Sequence, residues 1–145
     1  MKQEVDDKRL IASVVLLERF VRDIYPTKHS SAIQPLQWSI LRYLARTPAD
    51  RCEVRWIAQF LGLTRAPVTR AIATLESRDL VKQQISDEDA RTKTVTLTTL
   101  GVKTLAEDPI VLAAERIRIL PKIDQEQFVR SVRSLALNYG SNSHE

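Results

Sequence analysis

The side chains with the most to offer chemically in this chain are guanidinium groups set among small and hydroxylated residues. Arg65 and Arg70 fall in the run Thr64-Arg65-Ala66-Pro67-Val68-Thr69-Arg70. On a helix over residues 64–78, Val68, Ile72 and Leu75 share one face, while Ala66, Thr69, Arg70, Ala73 and Ser77 share the opposite one. Such a polar face suits the edge of a base in a DNA major groove. Arg70 can donate two hydrogen bonds to one guanine, worth roughly 1–3 kcal/mol of discrimination. Thr69 can reach a base or a phosphate, and Ala66 and Ala73 permit close approach. Thr64 and Arg65, at the helix start, are placed for phosphate contacts assisted by the helix dipole. Pro67 lies in the first turn, where a missing N–H costs little. The competing reading is an ordinary solvated helix face, and only the neighbouring elements decide between the two.

A second pair stands further on. Asp89 and Arg91, two residues apart, point to the same side, so the carboxylate can hold the guanidinium in one orientation. A pre-aimed arginine fits a narrow minor groove, where the negative potential is deepest. Lys93 can add a phosphate contact. The alternative is a solvated hairpin tip, for which the acidic neighbours Asp87 and Glu88 argue.

Other chemistries have little to work with. Cys52 is the one cysteine, and His29 and His144 are distant from it and from each other, so no cluster has metal-ligand spacing. A lone cysteine of this kind is more often packed and inert than peroxide-sensing. No nucleophile triad stands out, and three glycines exclude a phosphate-binding loop. The expectation is a protein that is not an enzyme and needs no cofactor or metal.

The arginines depend on the elements that hold them. Two short helices crossing steeply need a small residue where their backbones approach, which Ala58 supplies. The turn between them needs positive φ, which Gly62 accepts at least cost, and Val68 packs the second helix back on the first. Leu61 and Leu63 flank the glycine as expected buried anchors. This spacing reads as a helix-turn-helix, with a positioning helix over 53–60 and a recognition helix from Thr64 to about Arg78. The period then changes. Val81–Ser86 and Lys93–Leu97 read as strands with Val81/Ile85 and Val95/Leu97 as inward pairs, joined by an acidic turn into a wing. Upstream, residues 8–25 form a helix whose seam is Leu10, Val14, Leu17, Val21 and Ile24. Ile11, Val15 and Phe20 widen that seam beyond what one neighbouring helix would cover. Pro26 ends this helix, Thr27–Gln34 is a polar connector, and Pro35 opens a helix that buries Leu36, Ile40, Leu41 and Leu44. Thr98 caps another helix, Pro109 interrupts the helical run, and a last helix over 125–139 places Phe128, Val132, Leu135 and Tyr139 at heptad spacing. The fold class is mainly α with a small β-hairpin, in a single domain spanning residues 1–145.

Composition agrees. The 145 residues carry a net charge of +4 and a pI near 9.5. The bias is local: residues 31–80 hold seven arginines against four acids, while both flanks are nearly neutral. The absence of a signal sequence, of a membrane-length apolar run and of any cysteine pair makes a cytoplasmic, nucleoid-associated protein the expectation, with no membrane partner.

Together, Leu63-Thr64-Arg65 through Val68-Thr69-Arg70, Leu75-Glu76-Ser77-Arg78-Asp79-Leu80-Val81, Asp89-Ala90-Arg91 and Val95-Thr96-Leu97-Thr98-Thr99-Leu100-Gly101 resemble the MarR family of bacterial regulators. The resemblance extends over nearly the whole chain. It implies a winged helix-turn-helix over 35–98 flanked by dimerisation helices over 8–34 and 99–140. Leu10, Val14, Leu17, Val21, Phe128, Val132 and Leu135 would then lie in a homodimer interface. It further implies that two wings straddle a pseudo-palindromic operator in double-stranded DNA. It also implies a repressor often released by a small molecule, and minor-groove duty for Asp89 and Arg91. Two departures stand out: Asp79 occupies a position usually held by glycine, and the C-terminal helical region is short. An effector site suggests itself at Tyr25, His29, Trp38 and Arg42, where an aromatic pair and a cation could hold a small aromatic acid. Equally, Trp38 is core and Arg42 a surface residue. Two other readings stay open: a winged-helix module for protein partners, and a low-specificity architectural DNA-binding protein.

Overall fold

The computed structural model describes residues 4–25 and 32–141, the last four of these by backbone alone. In chain order the elements are α1 (Asp7–Ile24), α2 (Pro35–Arg46), α3 (Val54–Leu61), α4 (Arg65–Ser77), β1 (Val81–Ile85), β2 (Lys93–Leu97), α5 (Thr99–Thr104), α6 (Pro109–Arg118) and α7 (Lys122–Ser141). Single 3-10 turns at Ala49–Arg51 and Leu105–Glu107 lead into α3 and out of α5. Two compact units meet in sequence between Asp108 and Pro109. The helix interruption expected at Pro109 is there: Asp108 is non-helical and Pro109 opens α6.

The core belongs to the first unit. Trp38, Ile40, Leu41 and Leu44 of α2 pack with Ile57 and Ala58 of α3, Val68, Ala71, Ile72 and Leu75 of α4, and Leu80, Val81 and Val95 of the hairpin. The strands pair antiparallel, with Val81 opposite Leu97 and Ile85 opposite Lys93. Only the base of the hairpin is covered. Val81 and Val95 are buried, but Ile85 is 65% exposed, so its expected inward role is corrected. Alternation puts Ile85 on the same face as Val81, yet four residues further out the strand has run past the edge of the core.

Helix ends are set by backbone geometry. Gly62 adopts φ +66, Leu63 donates its N–H to the Ala58 carbonyl at 3.0 Å, and Gly62 donates to Gln59 at 3.2 Å. This pair of bonds is a Schellman closure. Of the flanking leucines, Leu61 is half-buried and packs against the core, while Leu63 is 43% exposed and is not the buried anchor expected. The end of α4 repeats the device with Asp79 at φ +59, Leu80 bonded to Leu75 and Asp79 to Glu76, each at 3.0 Å. Aspartate therefore makes the same turn that glycine would, at some steric cost. Asp79→Gly is expected to stabilise the protein by about 0.5–1 kcal/mol, measured as a higher denaturation midpoint in urea.

The hairpin returns into α5 through Thr98. Its hydroxyl accepts from Gly101 N at 3.0 Å, capping α5, and donates to the Asp79 carbonyl. Gly101 rests directly on the Leu80 backbone: a Cβ placed there would lie 2.1 Å from the Leu80 oxygen. The Leu-Thr-x-x-Gly run thus ties the end of α4 to the end of the wing.

Flanking this core, α1 has no buried residue, and Leu10, Ile11, Val14, Val15, Leu16, Leu17 and Val21 all stand exposed. In the second unit Val111, Leu112, Ile119, Val132 and Leu135 are likewise exposed, while Phe128 is half-buried. The connector from Pro26 to Ser31, which contains His29, lies outside the described residues, as do His144 and the Tyr139 side chain.

Candidate nucleic-acid interface

Helix α4 has a buried face of Val68, Ala71, Ile72 and Leu75. Its other side presents Arg65, Ala66, Thr69, Arg70, Ala73 and Ser77 to solvent, with Pro67 half-buried at the first turn. Thr64 holds the N-cap position with no capping bond from its hydroxyl. Ser77 Oγ donates to the Thr74 carbonyl at 2.7 Å, so it would meet a partner through its lone pairs. Arg70 and Thr69, near the middle of the exposed strip, have small neighbours on both sides.

The wing tip is organised by Asp89. Its carboxylate accepts from Arg91 N at 3.0 Å and Arg91 Nε at 3.4 Å, and its carbonyl accepts from Thr92 N and Oγ1, each at 3.0 Å. The Arg91 side chain is 92% exposed. It projects from a tip whose backbone is tied down. Lys93 is exposed at the start of β2.

The residues grouped at the α1–α2 junction are brought together in part. Trp38 is in the core. Arg42 makes a two-pronged ion pair with Asp108, Nε to Oδ2 at 2.6 Å and Nη2 to Oδ1 at 2.9 Å, and donates to Tyr25 Oη at 3.0 Å. Burial alone would lower the guanidinium pKa, but the bonds to Asp108 and Tyr25 outweigh it and leave the pKa raised. A cleft of about 420 Å³ opens beside Arg42 between α2 and the end of α3, lined also by Tyr43, Arg46, Phe60 and Leu61. Asp108 is the member that sequence reasoning missed. It sits 66 residues from Arg42, just before a proline, where neither helical period nor motif marks it. Its side chain is 6% exposed and that of Arg42 17% exposed. Asp108→Ala would therefore strand a desolvated cation, and a loss of about 3 kcal/mol is expected, read as a lower urea midpoint.

Cys52 is buried, and its thiol faces the Pro48 and Thr47 carbonyls at 3.4 and 3.6 Å. Burial, with a contribution from Asp50, pushes its pKa up, so it remains a protonated thiol at neutral pH. Among the described residues no cluster of three or more His, Cys, Asp or Glu is placed to hold a metal, and no helix is long and apolar enough to cross a membrane.

A helix-turn-helix closed at Gly62, an arginine-bearing second helix and an adjoining two-stranded wing define a winged-helix fold. Residues 33–92 match the model of the MarR family. The fold extends beyond the matched core. AbsC, a MarR family transcriptional regulator from Streptomyces coelicolor, is 18% identical, with a TM-score of 0.74 over 97% of this chain and 100% of AbsC. MepR of S. aureus, in complex with DNA, is 20% identical, with a TM-score of 0.71 over 93% and 99% of the two chains. PcaV from Streptomyces coelicolor, in complex with its natural ligand, is 19% identical, with a TM-score of 0.66 over 92% and 96%.

Proposed function

We propose that this chain is a MarR-family transcription regulator, a homodimeric repressor that reads a pseudo-palindromic operator through α4 and the wing. The observation that carries the reading is the exposed Arg70 strip on the helix that follows the Gly62 turn, with Arg91 held out by Asp89 on the adjoining hairpin. Thr69 and Arg70 read base edges in the major groove, with Ala66, Ala73 and Ser77 lining the approach. Thr64, Arg65 and Lys93 bond phosphates around Pro67 and the outer end of the hairpin, and Arg91 enters the minor groove. The MepR complex, which shares the fold, supports the choice of duplex DNA.

Dimerisation follows from apolar area. A face as extensive as that of α1 is seldom left in water on a monomer. We assign Leu10, Val14, Leu17 and Val21, with Phe128, Val132 and Leu135, to the contact between two copies. Their heptad-like spacing suits helix-on-helix packing. A dimer also supplies the two-fold axis that a palindromic operator demands. Operation in a cytoplasm, on nucleoid DNA, is part of the same reading.

For release, we place a small aromatic acid at the cleft beside Arg42, the cation of the group Tyr25, His29, Trp38 and Arg42 that the sequence suggests. The ligand-bound PcaV structure supports a ligand-responsive scaffold. Because Arg42 is already held by Asp108, an anionic effector must compete with that carboxylate.

Titration of a labelled genomic operator at rising salt tests the reading. A dimer making several phosphate contacts loses affinity steeply, roughly in proportion to the number of contacts. A module for protein partners would show no DNA affinity to lose. An architectural protein would show the salt dependence without any sequence preference.

A further inference from the structure

Gln83 pairs with Val95 across the hairpin. Val95 N turns away from β1 and donates to the Cys52 carbonyl at 2.8 Å, beside a bridge between Glu53 and Thr94. At this antiparallel pair the amides of both strands therefore point outward, leaving each edge with a donor to satisfy. On the β1 edge the acceptor is a side chain of the recognition helix. Glu76 Oε2 takes Gln83 N at 2.7 Å, and Glu76 Oε1 takes Gln83 Nε2 at 3.3 Å. The wing is thus held on one edge by the lead-in to α3 and on the other by the last turn of α4.

The position of that second bond decides its effect. The base of the hairpin is fixed by Val81 and Val95, which are fully buried. Two residues beyond Gln83, Ile85 is in solvent, so core packing no longer steers the strand. Glu76 grips β1 at the last point before it leaves the body of the protein. A carboxylate accepting a backbone N–H is a short, charge-assisted bond that suits such an anchor.

We propose that Glu76 is a positioning residue for DNA recognition: it sets the angle at which the wing departs from α4, and so the separation between Arg70 and Arg91. The proposal rests on the DNA-reading function above. A negative charge on the last turn of the recognition helix opposes phosphate, so electrostatics alone would make its removal favourable. Positioning predicts the reverse for alanine and not for glutamine, whose amide oxygen still accepts from Gln83 N.

The test is a double-mutant cycle on binding to the operator, with wild type, Glu76→Ala, Glu76→Gln, Arg91→Ala and Glu76→Ala/Arg91→Ala. Alanine at 76 is expected to weaken binding about tenfold and glutamine less than about threefold. In the Arg91→Ala background, where no minor-groove contact remains to be aimed, alanine at 76 should cost less than about threefold. Costs that simply multiply, wild-type affinity in Glu76→Ala, or failure of that variant to fold would each overturn the proposal. Loss of operator selection by the wild type itself would instead overturn the DNA reading.

Discussion

Gly101→Ala is expected to cost about 3 kcal/mol and lower the melting temperature by roughly 6–12 °C. Two effects oppose each other at this position. Gly101 lies inside α5, where alanine is intrinsically favoured by about 1 kcal/mol. The new Cβ, however, would stand 2.1 Å from the Leu80 oxygen and 3.2 Å from its carbonyl carbon. Both are backbone atoms of the segment joining α4 to β1, so relief requires moving the recognition helix or the wing. The steric term is the larger. Thermal unfolding followed by circular dichroism measures the net result, and a melting temperature at or above that of wild type would show that α5 does not bear on Leu80.

Arg70→Ala is expected to abolish operator selection while leaving the fold intact. Arg70 is solvent-exposed on α4, so its truncation opens no cavity. Each lost two-pronged base contact removes roughly 1–3 kcal/mol, and the proposed symmetric dimer would carry the change twice, so specific affinity is expected to fall by about a hundredfold or more. Arg70→Lys retains the charge but not the fork and separates the two contributions. It should keep affinity for random DNA and lose preference for the operator. Competition binding between operator and random duplexes measures both.

The winged core was legible because its signals are local. Ala58, Gly62 and Val68 mark the turn within eleven residues, and the change from helical to alternating period after Ser77 marks the hairpin. Gly62 at φ +66 and the strands at Val81–Ile85 and Lys93–Leu97 follow those signals closely. Where local pattern was extended past its physical reach, it misled. Ile85 continues the alternation of Val81 but lies beyond the core, and Leu63 follows a turn that closes by backbone bonds alone. Asp79 reads as a departure from glycine, yet the left-handed region is open to aspartate. The pairings least visible in sequence are those between distant segments. Asp108 on Arg42 joins residues with no shared period, and Glu76 on Gln83 links a helix to a strand through one unremarkable glutamate.

These pairings also separate duties within the first unit. Thr98, Gly101 and Glu76 act on the junction between α4 and the wing, whereas Arg42, Tyr25 and Asp108 act at the junction of α1 and α2. A variant in the second group should alter stability without changing operator preference.

Selection of genomic fragments by the purified protein, at physiological salt and with excess competitor DNA, tests most directly whether a dimer reads sequence through α4 and the wing. The expected result is enrichment of one inverted repeat, lost with Arg70→Ala and weakened with Arg91→Ala. Retention of fragments without a shared repeat, or equal retention by wild type and Arg70→Ala, would contradict it.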